Sequence, residues 1–109
     1  MKYLITESQF DKLIFKYLDN QDFIQIERNE RIYFVNSEGD EYAQIRFEKD
    51  DGWCGINYKL IDEISNFFSI EKSLSEKILI SWVESILDSK VGNVFFTSYI
   101  RAPWLRIPY

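Results

Sequence analysis

Apolar positions recur along the chain at two different spacings, and the change of spacing divides it. Phe10, Leu13, Ile14, Tyr17 and Leu18 fall three and four residues apart, the period of one face of a helix. Just before them, Thr6-Glu7-Ser8-Gln9 reads as a capping box, with Ile5 and Phe10 spaced as a hydrophobic staple across it. A helix is predicted from there to Asp19-Asn20.

Over the next forty residues the period falls to two. Phe23–Glu27, Arg31–Val35, Tyr42–Phe47 and Trp53–Tyr58 are rich in β-branched and aromatic residues. They are separated by Asn29-Glu30, Ser37-Glu38-Gly39-Asp40 and Lys49-Asp50-Asp51-Gly52, turn chemistry at hairpin length. This predicts a four-stranded antiparallel meander. In its third strand Ala43, Ile45 and Phe47 alternate with Gln44, Arg46 and Glu48, so one face of the sheet is expected to be dry and the other wet.

From Lys59 the helical spacing returns. Leu60, Ile61, Ile64, Phe67 and Phe68 form the stripe of a second helix, and Leu74, Ile78, Leu79, Trp82, Val83, Ile86 and Leu87 that of a third. Ser73-Leu74-Ser75-Glu76 is a candidate capping box for the third helix, with Lys90 and Gly92 as its closing signals. Residues 94–100 are a candidate fifth strand. Beyond them Arg101-Ala102-Pro103-Trp104-Leu105-Arg106-Ile107-Pro108-Tyr109 contains two prolines and is expected to be extended.

These elements add up to an α+β domain over residues 1–109: an N-terminal helix, a four-stranded antiparallel meander and two further helices, with all three helices on one face of the sheet. Its length of 109 residues suits one core rather than two. A composition that is 46% hydrophobic and 28% charged is that of an ordinary globular protein. No apolar run approaches the length of a membrane span, and the N-terminus lacks a leader pattern. A lone Cys54 fits a reducing compartment, so a cytoplasmic location is expected.

Charge is unevenly distributed. Residues 1–88 carry ten Lys or Arg against eighteen Asp or Glu, whereas residues 89–109 carry Lys90, Arg101 and Arg106 and no acid. An acidic body repels phosphates, which disfavours nucleic acid as a partner. Nine Phe, seven Tyr and three Trp are more aromatic residues than a core of this size hides, pointing to a protein partner or to self-association.

The chain has no histidine, which removes the commonest general base, and one Cys without His cannot fill a zinc shell. No phosphate-binding loop is present. A non-enzymatic role without cofactor or metal is therefore expected. Cys54 lies between Gly52 and Gly55, which leaves two readings: an accessible thiol, or a small apolar residue on the inward side of a strand beside Ile56. Asp40-Glu41 and Asp50-Asp51 offer oxygen ligands, but they bracket one strand and stand roughly 20 Å apart, too far to share an ion.

Two surfaces are candidates for contact. The tail presents Arg101, Trp104, Leu105, Arg106 and Tyr109, suited either to docking in a groove or along a sheet edge of a partner or to folding back and completing the core of its own domain. Alternatively, Asp40, Glu41, Asp50 and Asp51 belong to an acidic surface of the kind an inhibitor or immunity-type protein uses to block a basic enzyme. The opening Met1-Lys2-Tyr3-Leu4-Ile5-Thr6-Glu7-Ser8-Gln9-Phe10 resembles the start of short proteins encoded by large tailed phages and their marine bacterial hosts. That resemblance covers a tenth of the chain, implies a phage-encoded, virion-associated accessory protein, and transfers no functional residue.

Overall fold

The computed structural model of the protein describes residues 7–37 and 40–101. Its elements run α1 (Glu7–Asp19), β1 (Ile24–Arg28), β2 (Arg31–Val35), β3 (Tyr42–Ala43), β4 (Ile45–Glu48), β5 (Trp53–Asn57), α2 (Tyr58–Phe68), α3 (Lys72–Leu87), β6 (Asn93–Thr97) and β7 (Ile100–Arg101). Five strands form one sheet in the order β1-β2-β4-β5-β6, while β3 and β7 make a separate two-stranded ribbon. The α+β architecture is as expected: an N-terminal helix, four antiparallel strands, and two further helices packed on the sheet. The candidate fifth strand over 94–100 is divided: residues 94–97 lie in β6 and Ile100 in β7, and β6 does not extend the meander. It pairs parallel with β5, because α2 and α3 carry the chain back along the sheet before β6 begins.

Register places the core. Phe34, Ile45, Ile56 and Phe96 form one cross-strand row, and Ile32, Phe47, Cys54 and Val94 form the next. Both rows face the helices, where they meet Ile14 and Leu18 of α1, Leu60, Ile61 and Ile64 of α2, and Ile78, Leu79, Trp82 and Val83 of α3. Trp82 ties α3 to two other elements: its ring lies 5.6 Å from Phe34 of β2 and its Nε1 donates to Asp19 Oδ1 of α1 at 3.0 Å. Ser65 and Ser75 share a buried hydrogen bond of 2.8 Å where α2 crosses α3.

The third strand of the meander is broken. Ile45 pairs with Phe34, yet the Gln44 amide also donates to the Phe34 carbonyl at 2.7 Å, so two residues oppose one in a β-bulge. A bulge shifts the two-residue alternation by one. Ala43 therefore does not share a face with Ile45 and Phe47; it joins Tyr33, Val35 and Ile100 in a second apolar cluster on the helix-free side. The face expected to be wet is dry over this part, beneath the β3–β7 ribbon.

The helix ends also differ from the sequence reading. Ser73 does not cap α3, which starts at Lys72 after Glu71, and Ser75 is turned inward to Ser65. The helix closes on Asp88 in the left-handed region (φ 51°) rather than at Lys90-Gly92. Gly92 instead packs against Gly52, whose added Cβ would stand 3.0 Å from the Gly92 nitrogen. The α2 cap is Asn57, the last residue of β5, whose Oδ1 accepts from the Lys59 amide at 2.8 Å, so strand passes into helix without a loop. The capping residue Thr6 lies outside the described residues.

Asn29 and Glu30 join β1 to β2 with φ of 52° and 65°, the signature of a type I′ turn. Glutamate is strained there, while glycine is not. Glu30→Gly is therefore expected to raise the unfolding free energy by about 0.5–1 kcal/mol, read as a higher urea midpoint at unchanged slope. An unchanged or lower midpoint would show that the turn carries no removable strain.

Candidate functional site

The helix-free face carries a row of side chains that the helices leave uncovered. Tyr33, Arg46, Gly55 and Phe95 lie side by side across β2, β4, β5 and β6. Gly55 is the gap in this row, and Phe95 fills it: a Cβ on Gly55 would stand 2.5 Å from Phe95 Cζ. With no side chain between them, Arg46 reaches across β5 until its guanidinium carbon is 5.6 Å from the Phe95 ring centre. Trp53 tilts against the same ring at 5.9 Å.

Arg46 is further held by Glu48, Nη2 to Oε2 at 3.2 Å, and Glu48 also approaches Arg31 at 3.7 Å. The Arg46 Nε is buried and makes no hydrogen bond among the described residues. Trp53 is 38% exposed. The result is an aromatic and cationic strip along β5 and β6 that ends at the edge of the sheet.

That edge is open. The Asn93 amide points at the Gly52 carbonyl (3.5 Å), so by alternation the main-chain groups of Val94 and Phe96 face away from β5. Asn93-Val94-Phe95-Phe96-Thr97 contains no charge and no proline. The opposite edge, β1, is different: it carries Glu27 and Arg28, and Glu27 is bound by Lys49 at 2.8 Å. Natural sheets use charged edges of this second kind to discourage further pairing.

Cys54 lies in the buried row beside Ile56 and is fully covered. Burial, with a smaller push from the Glu84 carboxylate, raises its thiol to about 12. The glycine at 55 does not open a path to it, because that space holds the Phe95 ring on the opposite face. Of the two readings of Cys54, the small apolar core residue is the one observed.

The acidic candidates serve their turns. Asp40 accepts from the Ser37 amide (3.0 Å) and hydroxyl (2.9 Å), and Asp51 accepts from the Trp53 amide at 3.1 Å. Glu41 and Asp50 are exposed. The two pairs stand on loops at opposite ends of β4 and are not brought together. Among the described residues no group of three or more Cys, Asp or Glu could hold a metal ion, and no helix is long and apolar enough to cross a membrane.

Of the tail candidates, Arg101 is exposed in β7, paired with Tyr42. Trp104, Leu105, Arg106 and Tyr109 lie outside the described residues. Sequence reasoning missed Arg46, Trp53 and Phe95 as a unit. The available signal was Gly55, since a glycine inside a strand marks a close approach by another group.

No protein-family model, no curated protein and no solved structure matches this chain.

Adding a methyl at position 55 must displace the Phe95 ring. Gly55→Ala is expected to destabilise the fold by about 1–3 kcal/mol, and by clearly less in a Phe95→Ala background, which a double-mutant cycle in urea measures. Additive effects would show that the ring does not occupy the gap. A second expectation concerns Cys54. Below pH 9 the thiol is protonated in both folded and unfolded chains. Above it the unfolded thiol ionises first, so stability falls from pH 9 towards 12. Iodoacetamide at pH 8 should leave the folded protein unmodified by mass spectrometry and alkylate it in guanidinium; rapid alkylation of the folded protein would contradict the burial.

Proposed function

We propose that this protein is a non-enzymatic association domain, which works by accepting a second extended strand on the open edge of β6, that strand being β6 of another copy. The observation that carries this reading is the contrast between the two sheet edges. β1 is charged, whereas Asn93–Thr97 offers outward main-chain donors and acceptors on an uncharged strand. Two such strands related by a two-fold axis pair antiparallel with themselves, each amide of Val94 and Phe96 finding a carbonyl on the other copy. The exposed Trp53 and the half-buried Phe95 beside that edge then add aromatic area to the main-chain bonds.

Other features support an interaction role over a catalytic one. The only thiol is protonated and enclosed, and the chain contains no histidine. The acidic pairs are committed in part to their own turns, so the structure adds nothing in favour of a single blocking surface.

Sedimentation equilibrium tests the proposal. The mass is expected to rise from monomer towards dimer between about 1 μM and about 1 mM protein, as befits a small interface. Asn93→Lys, at an exposed position on the edge, should hold the protein monomeric while its circular dichroism stays unchanged. Amide exchange at Val94 and Phe96 should slow as concentration rises. A mass that stays monomeric, or a dimer indifferent to Asn93→Lys with no added protection at Val94 and Phe96, overturns the reading.

A further inference from the structure

The helix layer stops short of β1. Gln25 and Glu27, which face the helix side, are exposed, and the gap between β1, the end of α1 and the last turns of α3 is an open cleft of about 200 Å³. Its floor is aromatic. Phe23, Phe34 and Trp82 pack as a triangle of tilted rings, with centres 5.6, 5.9 and 6.3 Å apart. Its rim carries Asp19, Asp22 and Gln25, and Ile86, 40% exposed, forms a wall.

Two properties define what fits. The lining contains two carboxylates and no lysine or arginine, and among the described residues neither Asp19 nor Asp22 is in an ion pair. Asp19 spends Oδ1 on the Trp82 indole, which fixes the ring and keeps the carboxylate at the mouth. Phe34 and Trp82 are buried and close the bottom, so the reachable apolar surface is that of half-buried Phe23 and exposed Ile86, and beneath a negative rim it suits an apolar stem that carries a cation and rejects an anion. We propose that this cleft binds the side chain of a lysine presented by a partner protein, the methylene stem lying against Phe23 and Ile86 and the ammonium meeting Asp19 and Asp22. The site stands at the edge opposite β6, so it does not depend on self-association.

Binding is read from the Trp82 indole N–H signal in a ¹⁵N-labelled full-length protein titrated with N-acetyl-lysine methylamide. The neutral isostere N-acetyl-norleucine methylamide serves as the comparison. A saturable shift is expected with the lysine derivative and none with norleucine, and free ethylamine, which lacks the stem, should bind more weakly. Asp22→Asn should weaken binding about fivefold without disturbing the fold, since asparagine also tolerates the left-handed backbone at that position (φ 55°). Asp19→Asn keeps the oxygen that accepts from Trp82 and should weaken binding by a similar factor.

Equal shifts from lysine and norleucine would reduce the cleft to an apolar hole. Equal affinity for ethylamine would make it a site for free amines rather than for a protein side chain. The absence of a saturable shift, or affinities untouched by Asp22→Asn, would remove the site altogether. Each of these results overturns the proposal.

Discussion

The parallel pairing of β6 with β5 is the constraint from which the other features follow. A strand that runs parallel to its neighbour cannot be reached by a tight turn, so the chain has to climb back along the sheet first. Residues 58–87 do this as two helices, and with α1 they bury both inward rows of the sheet under a single layer. Because this layer lies on one side only, the opposite face of β5 and β6 has no helix over it among the described residues. Because β6 comes last in the sheet, its outer edge has no strand beside it among the described residues.

Three glycines make this pairing work. At the start of the two strands Gly52 and Gly92 touch, and the Gly92 amide donates to the Gly52 carbonyl at 2.9 Å, so the β4–β5 turn and the α3–β6 turn lock together before the ladder begins. At its centre Gly55 leaves room for Phe95 to lie across β5. A bulkier residue at 52 would also meet a backbone angle (φ 76°) that glycine alone adopts without strain. The exposed aromatic strip is thus a consequence of how the parallel pair is assembled, and the residues that shape it belong equally to stability.

The elements were legible in the sequence because each carries a local signal. The spacing of Ile14 and Leu18, of Leu60 and Ile64, and of Ile78, Leu79 and Trp82 names three helices whose buried positions are those residues. Arg31–Val35 emerges with its ends unchanged because turn residues flank it. What could not be read depends on contacts between distant segments. Nothing local in Tyr42–Phe47 announces that Gln44 will bulge against Phe34 and turn Ala43 to the other face. Nothing within Val94–Ile100 says that its partner is the parallel β5. Ser73-Leu74-Ser75-Glu76 satisfies the capping pattern, yet the helix begins two residues earlier, at Lys72 after Glu71, and Ser75 is buried against Ser65 where α3 crosses α2. The strip at Phe95 was hidden for the same reason: Arg46, Gly55 and Phe95 become neighbours only once register is set.

The same one-sided layer accounts for the position of the acidic cleft. Three helices of modest length cover four strands, and β1, the fifth, projects beyond them with Gln25 and Glu27 on the side where its neighbours bury Phe34 and Ile45. Phe23, at the turn into β1, has to bridge from the sheet to Trp82, and it does so without closing the space above. The carboxylates at the mouth arise from the turn that links α1 to β1, where Asp19 ends the helix and Asp22 takes a left-handed backbone. An aromatic floor and an acidic rim therefore meet there because the sheet is one strand wider than its cover, and that extra strand also carries the charged edge that contrasts with the uncharged β6.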